Sequence, residues 1–267
     1  MPTRREQADL AEAEQLLGPA ERDRDRDAIG PLRDKVAVIT GASRGIGLAI
    51  AEAFAAAECD LVLAARDVAP LRRVAETLTR SARVRVIVKS CDVADPKQVS
   101  ALFAAVKQRF PRIDILVNNA GIAHPMAAVP ELPVEKWNEV IGTNLTGMFL
   151  CSRAAIPRMG SGGIIVNNLS VAATSVFAGE AAYCASKWGA LGLTNTMREE
   201  LREKGIRVLA LVPGPTDTKI WDQFWPDAPH DKMMRPEDVA QAVLTAVTMP
   251  PGTSVDEIRM GPASGTL

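Results

Sequence analysis

From Val36 onward, short unbroken apolar runs alternate with longer segments whose apolar positions recur every three or four residues. The runs are Val36–Ile39, Leu61–Ala64, Ile115–Val117, Ile164–Val166 and Val208–Val212, and Val84–Val88, interrupted by Arg85, reads as a further strand. Between them, Leu48–Ala57, Leu71–Leu78, Pro96–Phe110, Ala181–Lys204 and a stretch from Arg235 to Val247 carry helical spacing, and Val134–Met159 reads as one long helix or a broken pair. A strand that is apolar at every position is one buried on both faces, as in a parallel sheet covered by helices. Repeated strand–helix units with right-handed crossovers predict an α/β fold with a doubly wound parallel sheet and helices on both faces. Its ligand crevice is then expected beyond the carboxyl ends of the strands.

The first thirty residues break this rhythm. Glu6–Leu17 has Leu10, Ala13 and Leu17 on one helical face, and Glu21–Asp27 alternates in charge with no apolar face. Residues 1–30 are therefore expected to form a charged arm, helical or mobile, ahead of one domain over 31–267. The 267 residues carry a formal net charge of −1 with both signs mixed, which gives no basic stripe for nucleic acid. No apolar run approaches the roughly 20 residues of a membrane span, and Arg4, Arg5 and Glu6 interrupt any secretory signal, so a cytoplasmic protein is expected. Four scattered cysteines without a Cys-x-x-Cys pair, and two histidines, give no metal site and point to buried free thiols.

Candidate chemistry begins where the first strand feeds the first helix, at Thr40-Gly41-Ala42-Ser43-Arg44-Gly45-Ile46-Gly47. Glycines at such a turn let the main chain approach a pyrophosphate, and the free N–H groups of the helix start attract it. This marks a single Rossmann-type sheet with Gly41, Ser43, Gly45, Ile46 and Gly47 at the cofactor. After the second strand, Ala65 stands where an acidic residue would bind the ribose hydroxyls of NAD, and Arg66 follows it. With Arg44 approaching from the glycine turn, two guanidiniums suit a 2′-phosphate, so NADP is favoured over NAD. A one-residue slip in the strand end would instead make Asp67 the ribose carboxylate.

Tyr183-Cys184-Ala185-Ser186-Lys187 places a phenol and an ammonium four residues apart, on one face of a helix. A nearby cation favours the phenolate, which would poise the tyrosine for proton exchange with a carbonyl or alcohol oxygen. With these residues in order, together with Asn118-Asn119-Ala120-Gly121, Asn144, Ser170 and Pro213-Gly214, the chain resembles the short-chain dehydrogenases/reductases from about Lys35 to Thr218. The 3-oxoacyl reductases are the members that it is taken to resemble.

The resemblance implies that Tyr183 is the general acid/base and that Lys187 binds the nicotinamide ribose and lowers the tyrosine pKa. It implies that Ser170 polarises the substrate oxygen and that Asn144 supports a water in a proton relay. Asp92 and Val93 would contact the adenine, while Asn118, Ala120 and Gly121 would flank the cofactor. Pro213, Gly214 and Thr218 would border the nicotinamide. In this family the segment from Thr218 to Met234 is a mobile lid, where Trp221, Phe224 and Trp225 either line an apolar pocket or anchor the lid. His124 is expected at the surface rather than at the pocket edge. Family members with a Gly-Gly-containing last strand pack it in a tetramer. This chain ends differently, at Val255–Pro262, so the resemblance leaves homodimer and homotetramer both open. The implied activity is NADPH-dependent reduction of a small-molecule ketone or aldehyde, with 3-oxoacyl thioesters foremost. An NAD-linked alcohol dehydrogenase and a nucleotide-binding regulator without turnover are the alternatives.

Overall fold

The computed structural model describes residues 30–82 and 84–265. The helix expected at Glu6–Leu17 and the charged run after it lie outside these residues.

Seven strands form one sheet in the order β3-β2-β1-β4-β5-β6-β7, every neighbouring pair parallel. They are β1 (Val36–Thr40), β2 (Asp60–Ala65), β3 (Val86–Ser90), β4 (Ile115–Asn118), β5 (Ile164–Asn168), β6 (Arg207–Pro213) and β7 (Glu257–Met260). The helices between them are α1 (Gly45–Ala56), α2 (Val68–Ser81), α3 (Pro96–Arg109), α4 (Val134–Ile141), α5 (Gly147–Ala155), α6 (Ala181–Leu201) and α7 (Pro236–Val247).

Successive strand residues feed opposite cores, as the period of two requires. Ala37, Ile39, Leu61 and Leu63 pack with Ile50 and Phe54 of α1 and Val239 and Val243 of α7. Val36, Val38, Val62 and Leu116 face Leu102, Phe103 and Val106 of α3, Cys151 of α5, and Met197 and Leu201 of α6. Each such side chain contributes roughly 1.5–3 kcal/mol on burial, and the helices on both faces seal the sheet. All four cysteines are free and buried.

The chain winds outward from β1 through β2 to β3, then returns to β4 on the other flank of β1 and winds the opposite way. The crevice between the carboxyl ends of β1 and β4 is the switch point of the doubly wound fold. Two boundaries differ from the hydrophobic pattern. The third strand runs from Val86 to Ser90, because register with Leu61–Ala65 extends it past the apolar run to Lys89 and Ser90. A seventh strand, which the apolar pattern did not reveal, is a half-exposed edge of four residues whose side chains alternate Glu257, Ile258, Arg259, Met260. Val134–Met159 is the broken pair: α4 and α5 are joined through a π-helical turn at Gly142–Thr146.

Candidate active site

A cavity of about 1000 Å³ opens over the carboxyl ends of the strands. Its floor begins at the β1–α1 turn. Gly41 and Gly45 sit at φ +65° and +57°, backbone that side-chain-bearing residues rarely adopt. Thr40 Oγ1 accepts hydrogen bonds from the N–H groups of Asn119 and Ala120 at 3.0 and 3.1 Å. Asn119 Nδ2 donates to the carbonyls of Thr40 and Gly41 at 3.0 and 3.1 Å. Gly47 makes room for this amide: a Cβ there would lie 2.2 Å from Asn119 Nδ2. Gly47 thus stands behind the cavity wall and shapes it, rather than lining it as expected. Arg44 precedes α1 in extended conformation and places no side-chain cap on it, leaving the first-turn N–H groups to the cavity.

β2 ends at Ala65, and Asp67 Oδ1 accepts from the Ala69 N–H at 2.9 Å as the N-cap of α2. The acidic residue is therefore engaged in capping. Arg44 and Arg66 both line the cavity and are exposed, and neither pairs with a carboxylate among the described residues. Asp92 and Val93 follow β3 on the same wall, where Asp92 Oδ1 accepts from the Ala94 N–H at 3.0 Å. Ala120 and Gly121 line the cavity, but Asn118 does not. Its buried amide donates to Ser152 Oγ and Asn167 Oδ1, both at 2.9 Å, because the last position of β4 faces the layer between α5 and β5. The expectation that Asn118 meets the cofactor is thus corrected to a structural tie.

At the other end, α6 presents Tyr183 and Lys187 to the cavity, and Ser170 faces them from the end of β5. The Ser170 hydroxyl is near enough to the Tyr183 phenol to favour its ionised form. Lys187 is buried and its Nζ donates to the Asn168 carbonyl at 3.0 Å, 5.5 Å from the centre of the tyrosine ring. Burial depresses the lysine to about 8. Burial also pushes Tyr183 up to about 12, against the pull of the Ser170 hydroxyl and with the help of the Glu180 charge. Desolvation is the largest influence on the phenol in this state.

Asn144 is almost wholly buried and does not reach the cavity wall. The π turn swings it under the β4 loop, where Oδ1 accepts from the Ile122 N–H and Nδ2 donates to the Ile122 carbonyl, each at 2.9 Å. A further bond from Nδ2 reaches Ser186 Oγ at 3.0 Å, tying the loop to α6 beside Lys187. His124 is buried, not at the surface, with Nδ1 2.8 Å from the Pro125 carbonyl.

Pro213, Gly214 and Thr218 line the wall below the lid. Trp221, Phe224 and Trp225 line the cavity as well, Trp221 and Phe224 with ring centres 4.8 Å apart. Both roles left open for these aromatics occur together. Trp221 Nε1 donates to the Thr216 carbonyl at 2.8 Å, and Gln223 Oε1 accepts from the Ala123 N–H at 3.1 Å. Residues that the motifs did not single out include Asn168, Phe177 and Glu180, all on the wall. Only Asn119 among the wall residues beyond those expected was signalled, by its place in the Asn-Asn-Ala-Gly motif.

The donor set fits a dinucleotide: positive-φ glycines and open helix N–H groups at one end, two unpaired guanidiniums beside them, and a proton-exchanging pair at the other. The family model described as short chain dehydrogenase matches residues 35–229. The chain belongs to the short-chain dehydrogenase family. As a short-chain dehydrogenase it is an NAD(P)-dependent oxidoreductase with a nicotinamide dinucleotide as its cofactor. An uncharacterised oxidoreductase of Staphylococcus saprophyticus is 35% identical over 86% of this chain and 98% of its own. The sepiapterin reductase of Chlorobaculum tepidum is 36% identical over 87% of this chain and 98% of its own. An alcohol dehydrogenase of the archaeon Thermococcus sibiricus, complexed with 5-hydroxy-NADP, superposes with a TM-score of 0.81 at 31% identity. That likeness covers 87% of this chain and 98% of the archaeal one. Among the described residues no helix is long and apolar enough to cross a membrane.

Proposed function

We propose that this short-chain dehydrogenase reduces a largely apolar ketone or aldehyde with NADPH, using Tyr183 as the proton donor. The observation that carries the reading is the gathering of Ser170, Tyr183 and Lys187 on one cavity wall, facing an aromatic lid. When bound, the nicotinamide supplies the hydride.

The chain's own residues supply position and the proton. Ser170 aligns the Tyr183 hydroxyl and offers a second donor to the oxygen that gains charge as the carbonyl is reduced. Tyr183, held neutral by burial, gives its proton to that oxygen. Lys187 hydrogen-bonds the ribose and stabilises the tyrosinate left behind, and Asn144 holds the main chain beside it. Asn144 acts from behind the wall, as a positioning residue. Gly41, Ser43, Gly45 and Ile46 cradle the pyrophosphate, with Ala120 and Gly121 alongside. Asp92 and Val93 hold the adenine, and Pro213, Gly214 and Thr218 border the nicotinamide. Arg44 and Arg66 clamp the 2′-phosphate, a role supported by the engagement of Asp67 in capping α2. Closure of Trp221, Phe224 and Trp225 over the substrate excludes water. Exposed Trp137, Phe149 and Trp188 on α4, α5 and α6 support assembly as a homodimer or homotetramer.

Nicotinamide absorbance followed with NADPH and NADH in parallel, against ketones, aldehydes and 3-oxoacyl thioesters, tests the proposal. Turnover is expected with NADPH. Turnover preferring NADH would overturn the cofactor assignment, and cofactor binding without reduction of any of the three classes would overturn the substrate assignment.

A further inference from the structure

Glu180 immediately precedes α6, one helical turn before Tyr183, and lines the same cavity. Its main chain is fixed: the N–H donates to the Phe177 carbonyl at 3.2 Å, and its own carbonyl accepts from Cys184 at 2.9 Å. The residue is only 8% exposed, and its carboxylate does not cap α6. Among the described residues no cation lies within ion-pair distance of it. Lys187 is held on the Asn168 carbonyl, and Lys219, on the lid, is exposed. Met126, Val176 and Phe177 are apolar members of the same cavity lining.

The side chain is buried except where its carboxylate meets the cavity, and a carboxylate so placed gains from a donor brought to it there. Among the described residues no group supplies one, and the side chain lines the cavity, so the donor comes from whatever fills the cavity. We infer that Glu180 is a specificity residue that recognises a nitrogen-borne N–H, an amine or amidine-like group, on the flat apolar body of the substrate. The inference deepens the reductase reading and rests on it for the carbonyl at Tyr183. The substrate class becomes aromatic or otherwise planar ketones and aldehydes that carry a basic nitrogen away from the reacting carbon. Burial pushes the Glu180 carboxyl up, and an arriving cation reverses that push by favouring the ionised form.

The test uses aryl ketones bearing an amino group at increasing distance from the carbonyl, each paired with the isostere that has methyl in its place. Two readouts are taken on the full chain: kcat/KM with NADPH, and Kd of the corresponding alcohols with NADP by tryptophan fluorescence. At least one amino member is expected to exceed its isostere by about tenfold or more in both, as a charge-assisted hydrogen bond gives. Glu180→Gln is expected to bring that ratio close to one, with the loss in KM more than in kcat. No preference in either readout, a preference that persists in Glu180→Gln, or an equal loss on both members of the pair would overturn the inference. An equal loss would mean that Glu180 acts only through Tyr183. A binding preference abolished by Glu180→Gln without turnover of any ketone would sink the reductase reading and leave the recognition by Glu180 standing.

Discussion

At the β1–β3 end of the cavity, apart from the charged side chains at its rim such as Arg44 and Arg66, the wall is main chain and small side chains, Gly41, Ser43, Ala65 and Val93, at or just beyond the strand ends. At the α6 end it is large side chains on long connections, Phe177, Trp221, Phe224 and Trp225. The first end holds its shape through hydrogen bonds such as those of Thr40 and Asn119. The second depends on ring packing and two tethers, Trp221 to Thr216 and Gln223 to Ala123. A ligand common to many enzymes suits a wall of backbone, which varies little, whereas a particular substrate is chosen by side chains that vary freely.

The sharpest way to separate the two ends is Tyr183→Phe. Turnover should fall by about 10³-fold with cofactor affinity unchanged, the scale of losing a positioned proton donor. Steady-state kinetics beside a cofactor titration checks this, and retained activity would remove the tyrosine from its role.

Lys187 sets stability against chemistry. Its pKa falls from 10.5 in the free side chain to about 8 in the folded protein. Below pH 8 the folded chain therefore carries a buried ammonium at a cost of about 3 kcal/mol. Between about 8 and 10.5 the unfolded chain binds a proton that the folded chain lacks, so stability rises with pH across that window. Lys187→Met should accordingly be inactive yet more stable than the parent at pH 7, by about 2 kcal/mol after loss of the hydrogen bond to Asn168. Denaturant melts across the pH range should show this advantage shrinking above pH 8. An advantage independent of pH would show that packing, not charge, produces it.

Gly47→Ala attacks the rigid end. Its Cβ would meet Asn119 Nδ2 at 2.2 Å and the Gly41 carbonyl at 2.5 Å. A loss of roughly 1–3 kcal/mol is expected, with weaker cofactor binding, and thermal melts with and without cofactor measure both. Unchanged cofactor affinity would show that the turn tolerates displacement. The mildest change is Arg66→Ala, expected to weaken NADPH by about tenfold while leaving NADH nearly unaffected, as loss of one charge-assisted contact predicts. Equal effects on both cofactors would undo the 2′-phosphate assignment.

The two ends also differ in how far the sequence revealed them. Apolar runs announced β1, β2, β4, β5 and β6 because strands buried on both faces are apolar along most of their length, with polar residues such as Thr40 and Asn118 at their ends, and the glycine turn followed from where those runs end. β7 escaped because a four-residue edge with alternating exposure leaves no apolar run. Gly47 and Asn118 belong to the motif but sit behind the wall, since spacing along the chain does not tell which face of a strand end or helix start meets the ligand. Glu180 had no motif at all: its burial comes from folding the 171–180 connection against the Ala127 segment, a contact between distant residues.

The π turn at Gly142–Thr146 has a consequence for how this site could be lost or gained. Each residue of an α-helix advances the chain by about 100°, and a π turn accommodates extra backbone within a continuous helix. Deleting one residue there would let α4 and α5 fuse into a regular helix and turn Asn144 away from Ile122 and Ser186, although every residue type in the site survived. The amide's aim is written in chain length, so an insertion or deletion of one codon could disarm the enzyme where inspection of its catalytic residues would find nothing missing.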